Sequence, residues 1–196
     1  MTNLNAEFFT QGELSELPFK SLGSDVLIHR RAVMVNIEAI SIGDNSRLDA
    51  DCTLLASGPI SIGRHVHIGR GSYLAGRGGI TLCDFSGMSQ NVCLYSASDD
   101  YSGRHMTNPT IPEEYLGLTI LPITLGRHAA IGSGAVLLPG ASMGEGAAVG
   151  ALSLLRSPAE PWGIYVGTPA RRVAERRRDV LMHEANLYCS RLRLAS

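Results

Sequence analysis

The sequence predicts an all-β solenoid: a parallel β-helix of triangular coils with one long loop excursion, a short N-terminal helical cap and a C-terminal α-helix. Two regularities and one interruption carry that prediction. Aliphatic residues recur at every sixth position, as Leu22, Ile28 and Met34, then Ile42, Leu48 and Leu54, then Ile62, Ile68 and Leu74, then Leu82, Met88 and Leu94. The four units start twenty residues apart, each completed by two extra residues such as Ile40-Ser41 and Ile60-Ser61. The hexads resume at Leu125, Ile131, Leu137, Met143, Val149 and Leu155, with Ala or Ser four places after each aliphatic residue. A period of six suits neither an amphipathic helix nor one alternating strand. It suits short strands joined by tight turns, with one large apolar and one small residue of each six pointing inward. Three strands close a triangle, and each coil buries its faces against the next, so the chain grows as a solenoid. The 22 glycines suit corners that need positive φ.

The interruption runs from Asp99 to Pro122. Hexads are absent there, and Gly103, Pro109, Pro112, Gly117 and Pro122 mark an irregular path. A loop of this length inside a compact domain is functional or disordered; thrown out of a coil, it forms a lid or pocket wall reaching toward a neighbouring subunit.

The remaining elements are the ends. Residues 1–21 form the cap, in which Phe8, Phe9, Leu14 and Leu17 of the stretch NAEFFTQGELSEL have roughly helical spacing. Residues 22–169 form the β-helix, and residues 170–196 read as a helix with Val173, Val180, Leu181, Leu187, Tyr188 and Leu192 in one stripe. Arg171, Arg172, Arg176, Arg177 and Arg178 make the one dense basic cluster, either a solvated helix face or a phosphate site.

Composition narrows the function. With 17 basic and 18 acidic residues the net charge is -1, so the chain lacks the electrostatic footprint of a nucleic-acid binder. No apolar run has the length of a membrane span, and the first residues carry acids where a secretion signal carries basic and then apolar residues, which predicts a cytoplasmic protein. Four cysteines without CxxC spacing predict reduced thiols, with Cys52 facing the core.

The hexads IGRHVH, IGSGAV, MGEGAA and VGALSL resemble those of the hexapeptide-repeat acyltransferases, and the likeness covers residues 22 to about 173. That resemblance implies a left-handed parallel β-helix, an exception to right-handed crossovers, and a homotrimer with active sites between adjacent subunits. In the sugar O-acetyltransferases of this group a histidine at the loop takes the proton of the acceptor hydroxyl. Here the corresponding stretch is SASDDYSG. An alcohol needs its proton drawn off as it attacks a thioester, whereas a neutral amine is already a nucleophile.

The segments MSQNVCLYSASDDYSG, PTIPEEY, GRHAAIGSGAVLLPGASMGEGAAVGALSLL and WGIYVGTPARRV are most similar to N-acyltransferases of nucleotide-linked 4-amino-4,6-dideoxysugars, a group that includes the anthrose-pathway enzyme. The resemblance implies a coenzyme A-dependent acyl transfer to a sugar amine for surface polysaccharide or O-antigen, with acetyl-CoA or another acyl-CoA as co-substrate and no metal. It assigns Asp99 to the amine and its proton, and Ser89 to a hydrogen bond at the reacting centre. It sets Asn91, Asp100, Tyr101, Arg104, His105 and Tyr115 against the nucleotide-linked sugar. Gly132, Ser133, Gly150 and Ala151, with His128, Arg171 and Arg172, fall to coenzyme A. From the residues alone Asp99 is equally a turn-forming residue, Ser89 an ordinary hexad position, and the small residues corner packing.

Two other readings attach to histidines. His105 is the general base if the acceptor is a hydroxyl, as in sugar O-acetyltransferases of the galactoside or maltose type. His65, His67 and His128 would supply a zinc site of the γ-carbonic anhydrase kind, which shares this fold. A non-catalytic β-helix scaffold is the remaining alternative.

Overall fold

A computed structural model describes residues 7–194, with side chains through residue 189. Residues 1–6, 195 and 196, and the side chain of Leu192, lie outside the described residues. The chain is a parallel β-solenoid of about seven turns with a C-terminal helix. Most hexads supply a strand of two or three residues, those at Met143 and Ala159 only a single bridge, and the strands stack in three sheets. The first face stacks Ser21–Leu22, Ile40–Ile42, Ile60–Ile62, Ile80–Leu82 and Ile123–Leu125. The second runs from Leu27–Ile28 to Gly163–Gly167, and the third from Val33–Val35 to Leu154–Leu155.

The predicted aliphatic residues fill the prism. Ile28, Leu48, Leu54, Ile68, Leu74 and Leu94 are fully buried, each worth about 1.5–3 kcal/mol of transfer free energy. Ala129, Ala135, Ala141, Ala147, Ser153 and Ala159, the small residues four places on, are buried beside them. Cys52 is also buried, and burial pushes its thiol up to about 11, which leaves it unreactive. Corners use left-handed backbone at Asn45, His65, Phe85 and His128, and again at Asp51, Asn91 and Leu152. Most are Asn, Asp or His, residues that tolerate this region.

The excursion does not disturb the stack. Ile80, Thr81 and Leu82 pair with Ile123, Thr124 and Leu125 in unbroken register across it. Its two ends close as a small antiparallel ladder, Ala97 with Ile120 and Ser98 with Thr119.

The N-terminal cap is shorter than its apolar spacing suggests. A single turn of helix, Gln11–Ser15, opens on a capping box between Thr10 and Glu13 and inserts Leu14 into the end of the first coil. Leu17 stays partly exposed.

The C-terminal expectation needs correction. Residues Ala170–Glu175 are a strand, and the helix spans Asp179–Leu194. The strand turns back antiparallel on Gly163–Gly167, from Gly163 opposite Glu175 to Gly167 opposite Ala170. Backbone groups of the last second-face strand would otherwise lack partners, and pairing satisfies them where a helix starting at Ala170 would not. Val173 is therefore exposed and is no part of a helical stripe. Leu181 and Leu187 are also partly exposed, and the helix docks instead through Glu184, which is buried, and Tyr188.

The close stack explains the glycines at one corner. A Cβ on Gly132 would lie 2.4 Å from the Ala151 nitrogen. Gly132→Ala is expected to destabilise the chain by about 1–3 kcal/mol, measured by denaturant unfolding; an unchanged midpoint would mean that the coils separate easily at this corner.

Candidate active site

Ser89 belongs to a column of residues at the junction of the second and third faces. Its amide donates to the Ile131 carbonyl at 2.9 Å, the Gly69 amide to that of Met88 at 2.9 Å, the Gly132 amide to that of Val149 at 2.8 Å, and the Gly150 amide to that of Tyr165 at 2.8 Å. Gly69, Ser89, Gly132 and Gly150 thus follow one another up the prism. Ser133 and Ala151 stand one residue further on and are exposed. Ser89 is exposed as well and lines a cleft of about 370 Å³ with His67, Gly87, Gln90, Ala130 and Ser133. Asn91 completes the edge at φ 56°, its side chain lying over Gly71, where a Cβ would be 2.3 Å from the Asn91 Oδ1.

The same column leads to the terminal hairpin. A Cβ on Gly150 would meet Val166 at 2.7 Å, and Val166 pairs with Arg171. Arg171 and Arg172 are exposed on the returning strand. The small residues and the two arginines named for coenzyme A therefore share one edge. His128 does not join them. Its ring is buried, stacks on Phe85 at 5.2 Å, and donates from Nε2 to Glu184 at 2.7 Å. Burial, with Arg127 and Arg176 nearby, lowers its pKa. Glu184 also pairs with Arg127. The sequence named His128 for the cofactor; the structure shows it fastening the C-terminal helix to the prism.

Asp99 sits beyond the far end of the third face, where the loop leaves the coil. It is half-buried and lines a second cleft, of about 360 Å³, with Arg77, Asn108, Pro109, Leu116 and Leu118. Arg77, which sequence reasoning did not single out, also binds Glu113 at 2.7 Å and so ties the loop to the coil below. The strand Cys93–Tyr95 lies between Ser89 and Asp99, and within one chain the two line different clefts.

The rest of the loop is a surface structure. Tyr101 is 89% exposed, and Arg104 and Tyr115 are also exposed. Asp100 accepts from Nδ1 of His105 at 2.9 Å, from the Ser102 amide at 2.8 Å and from the Ser102 hydroxyl at 2.9 Å. These bonds, that of His105 foremost, hold its carboxyl down at about 2. Gly117 lets the His105 ring lie flat, since a Cβ there would be 2.4 Å from Nδ1. His65 and His128 stack on either side of a shared partner, Phe85, and His128 also bonds Glu184, while His67 bonds Asp49 at 2.8 Å.

Comparison with known proteins decides the family. The profile described as hexapeptide repeat of succinyl-transferase matches residues 122–151. A dTDP-4-amino-4,6-dideoxy-D-glucose acyltransferase of Escherichia coli is 37% identical over 174 residues, 88% of this chain and 91% of that one. This chain is a hexapeptide-repeat acyltransferase. Among solved structures the acyltransferase is similar to AntD, an N-acyltransferase from Bacillus cereus in complex with dTDP and 3-hydroxybutyryl-CoA, at TM-score 0.91 and 37% identity over 95% of this chain and 98% of that one. A serine variant of AntD in complex with dTDP-4-amino-4,6-dideoxyglucose and coenzyme A gives TM-score 0.92 and 36% identity over 95% and 99%.

In this acyltransferase the Asp100–His105 pair offers a direct check on the loop. A carboxyl depressed below its ordinary 3.8 stabilises the folded loop above that pH and loses the contribution as pH falls toward 2. Carboxyl chemical shifts are expected to show Asp100 titrating near 2, and His105→Ala to move it up toward 3.8; an ordinary value in the parent would mean that the pair does not form.

Proposed function

We propose that the protein transfers an acyl group, acetyl or larger, from acyl-CoA to the 4-amino group of a dTDP-linked 4-amino-4,6-dideoxysugar. The observation that carries this is Asp99, a half-buried carboxylate in a cleft at the mouth of the excursion, ten residues after Ser89. AntD has been crystallised with variants of a serine and of an aspartate at the same spacing. The whole-length likeness to the E. coli acyltransferase supports the same substrate class.

Asp99 takes a proton from the bound sugar ammonium and releases it to solvent, and the free amine attacks the thioester carbonyl. The N–C bond forms, and the oxyanion of the tetrahedral intermediate accepts a hydrogen bond from the Ser89 hydroxyl. The intermediate collapses, the C–S bond breaks, and the nitrogen's surplus proton leaves through Asp99 to the departing thiolate, giving amide and coenzyme A thiol. The pantetheine arm follows Gly132, Ser133, Gly150 and Ala151, and Arg171 and Arg172 meet its phosphates. Asn91, Asp100, Tyr101, Arg104, His105 and Tyr115 surround the nucleotide-linked sugar, with Arg77 as the one cation lining the Asp99 cleft among the described residues.

A homotrimer completes the site. The outward row of the third face, Val33, Thr53, Tyr73, Cys93, Val136 and Leu154, is largely apolar, while that of the first is Ser21, Ser41, Ser61, Thr81 and Thr124. Packing the third face between subunits brings the Ser89 end of one chain to the Asp99 end of the next. No helix among the described residues is long and apolar enough to cross a membrane. Acyl-CoA and nucleotide sugars are cytoplasmic metabolites, which places the reaction there, upstream of surface polysaccharide assembly.

The Asp100–His105 pair favours one rival, acylation of a hydroxyl with His105 as base. The assay follows thiol release from acetyl-CoA with dTDP-4-amino-4,6-dideoxyglucose and its 4-hydroxy counterpart. Turnover is expected with the amine alone. Asp99→Asn should lower kcat by about 10²–10⁴ and Ser89→Ala by about 10²–10³, with coenzyme A binding retained. Turnover of the hydroxy sugar, abolished by His105→Ala and not by Asp99→Asn, would establish the rival.

A further inference from the structure

Gly87 lies midway along the outward row of the second face, in register with His67 below and Ala130 above. The glycines of the neighbouring corner have a structural reason: Gly69, Gly132 and Gly150 each face atoms within 2.7 Å of a would-be Cβ. Gly87 has none. A Cβ there would meet nothing within 4 Å, and its φ is not in the left-handed region. A glycine inside a strand weakens it and marks a place where a ligand or another backbone comes close. The space left by its missing side chain opens into the cleft that Ser89 lines.

Ser89 follows directly on the strand Gly87–Met88, and residues 87 and 89 line the same cleft about 6–7 Å apart along the chain, roughly the reach of a four-carbon acyl chain. Met88 between them points into the core. Ala130 keeps the floor low on one side, and His67, held by Asp49 at 2.8 Å, stands as a wall on the other.

We propose that Gly87 sets acyl-chain length: the unfilled space beside Ser89 receives the acyl tail of the thioester, and the protein accepts groups longer than acetyl. The inference rests on the acyl-transfer reading above, in which the thioester carbonyl meets Ser89. It commits the second-face side of the cleft to the acyl tail, leaving the pantetheine arm on the column of Gly132 and Gly150.

The test compares the parent, Gly87→Ala and Gly87→Val, each with acetyl-CoA and butyryl-CoA and the dTDP-linked amino sugar, by thiol release. A Cβ at this position meets no obstacle in the fold, and thermal midpoints for Gly87→Ala and Gly87→Val no lower than the parent's verify that both variants are folded. The parent is expected to use both donors. In Gly87→Val the butyryl-to-acetyl ratio of kcat/KM is expected to fall about 10–200-fold, with a smaller fall in Gly87→Ala. A ratio that stays within threefold of the parent's, whether or not both rates drop, overturns the assignment and puts another part of the substrate over Gly87. A parent active with acetyl-CoA but not with butyryl-CoA overturns it too. Failure of the underlying reading looks different: the parent then releases no thiol from either donor.

Discussion

The parallel ladder governs this molecule. Within the three faces each strand up to the terminal hairpin finds its hydrogen-bond partners in the coil before and the coil after, at a fixed register. A residue at a given hexad position therefore has the same position as its neighbour above and below, and chemistry can be placed only at corners, on outward rows, or on chain that leaves the stack. Ser89 takes a corner, Gly87 an outward row, and Asp99 the point of departure. Because Ile80 still pairs with Ile123 across the excursion, the loop costs the stack no register and its chain is free to shape a cleft.

That arrangement fits amine chemistry. A carboxylate at the entrance of the loop suits a cationic acceptor that must lose one proton before it attacks. Arg77 lines the same cleft and, through its ion pair with Glu113, holds the loop against the coil. At the other corner the column of glycines brings backbones close together and leaves a shallow edge that ends beside Arg171, a shape suited to a long flexible arm carrying phosphates. Among the described residues the C-terminal helix docks elsewhere. It is fastened on the opposite corner by Glu184 between Arg127 and His128, with Tyr188 set edge-on against His65 and Phe85.

The coils were legible because their signal is periodic: Leu48, Ile68, Met88 and Ile131 announce one ladder whatever lies between them. The loop was legible as the place where that period stops. Ser89 and Asp99 are assigned through resemblance alone, since a serine in a hexad and an aspartate at a turn carry no distinguishing pattern. The strand Ala170–Glu175 was missed because its arginines suit a helix face as well as a strand, and what decides is an unpaired edge nearby that no local pattern reports. The contact of His128 with the C-terminal helix was hidden for a related reason: its partner Glu184 lies 56 residues away. Gly87 did leave a trace, a glycine at an outward hexad position that follows Leu27, Arg47 and His67 in its column and precedes Ala130 and Ala148.

The central claim is that each active site takes Ser89 from one chain and Asp99 from its neighbour. Co-expressing Ser89→Ala chains with Asp99→Asn chains and assaying the mixed assemblies tests it most directly. Shared sites predict recovery of about a quarter of parent activity, since in random trimers that fraction of interfaces pairs an intact serine with an intact aspartate. Mixed assemblies that form but remain as inactive as either variant alone would contradict it, because both residues would then serve a site within one chain.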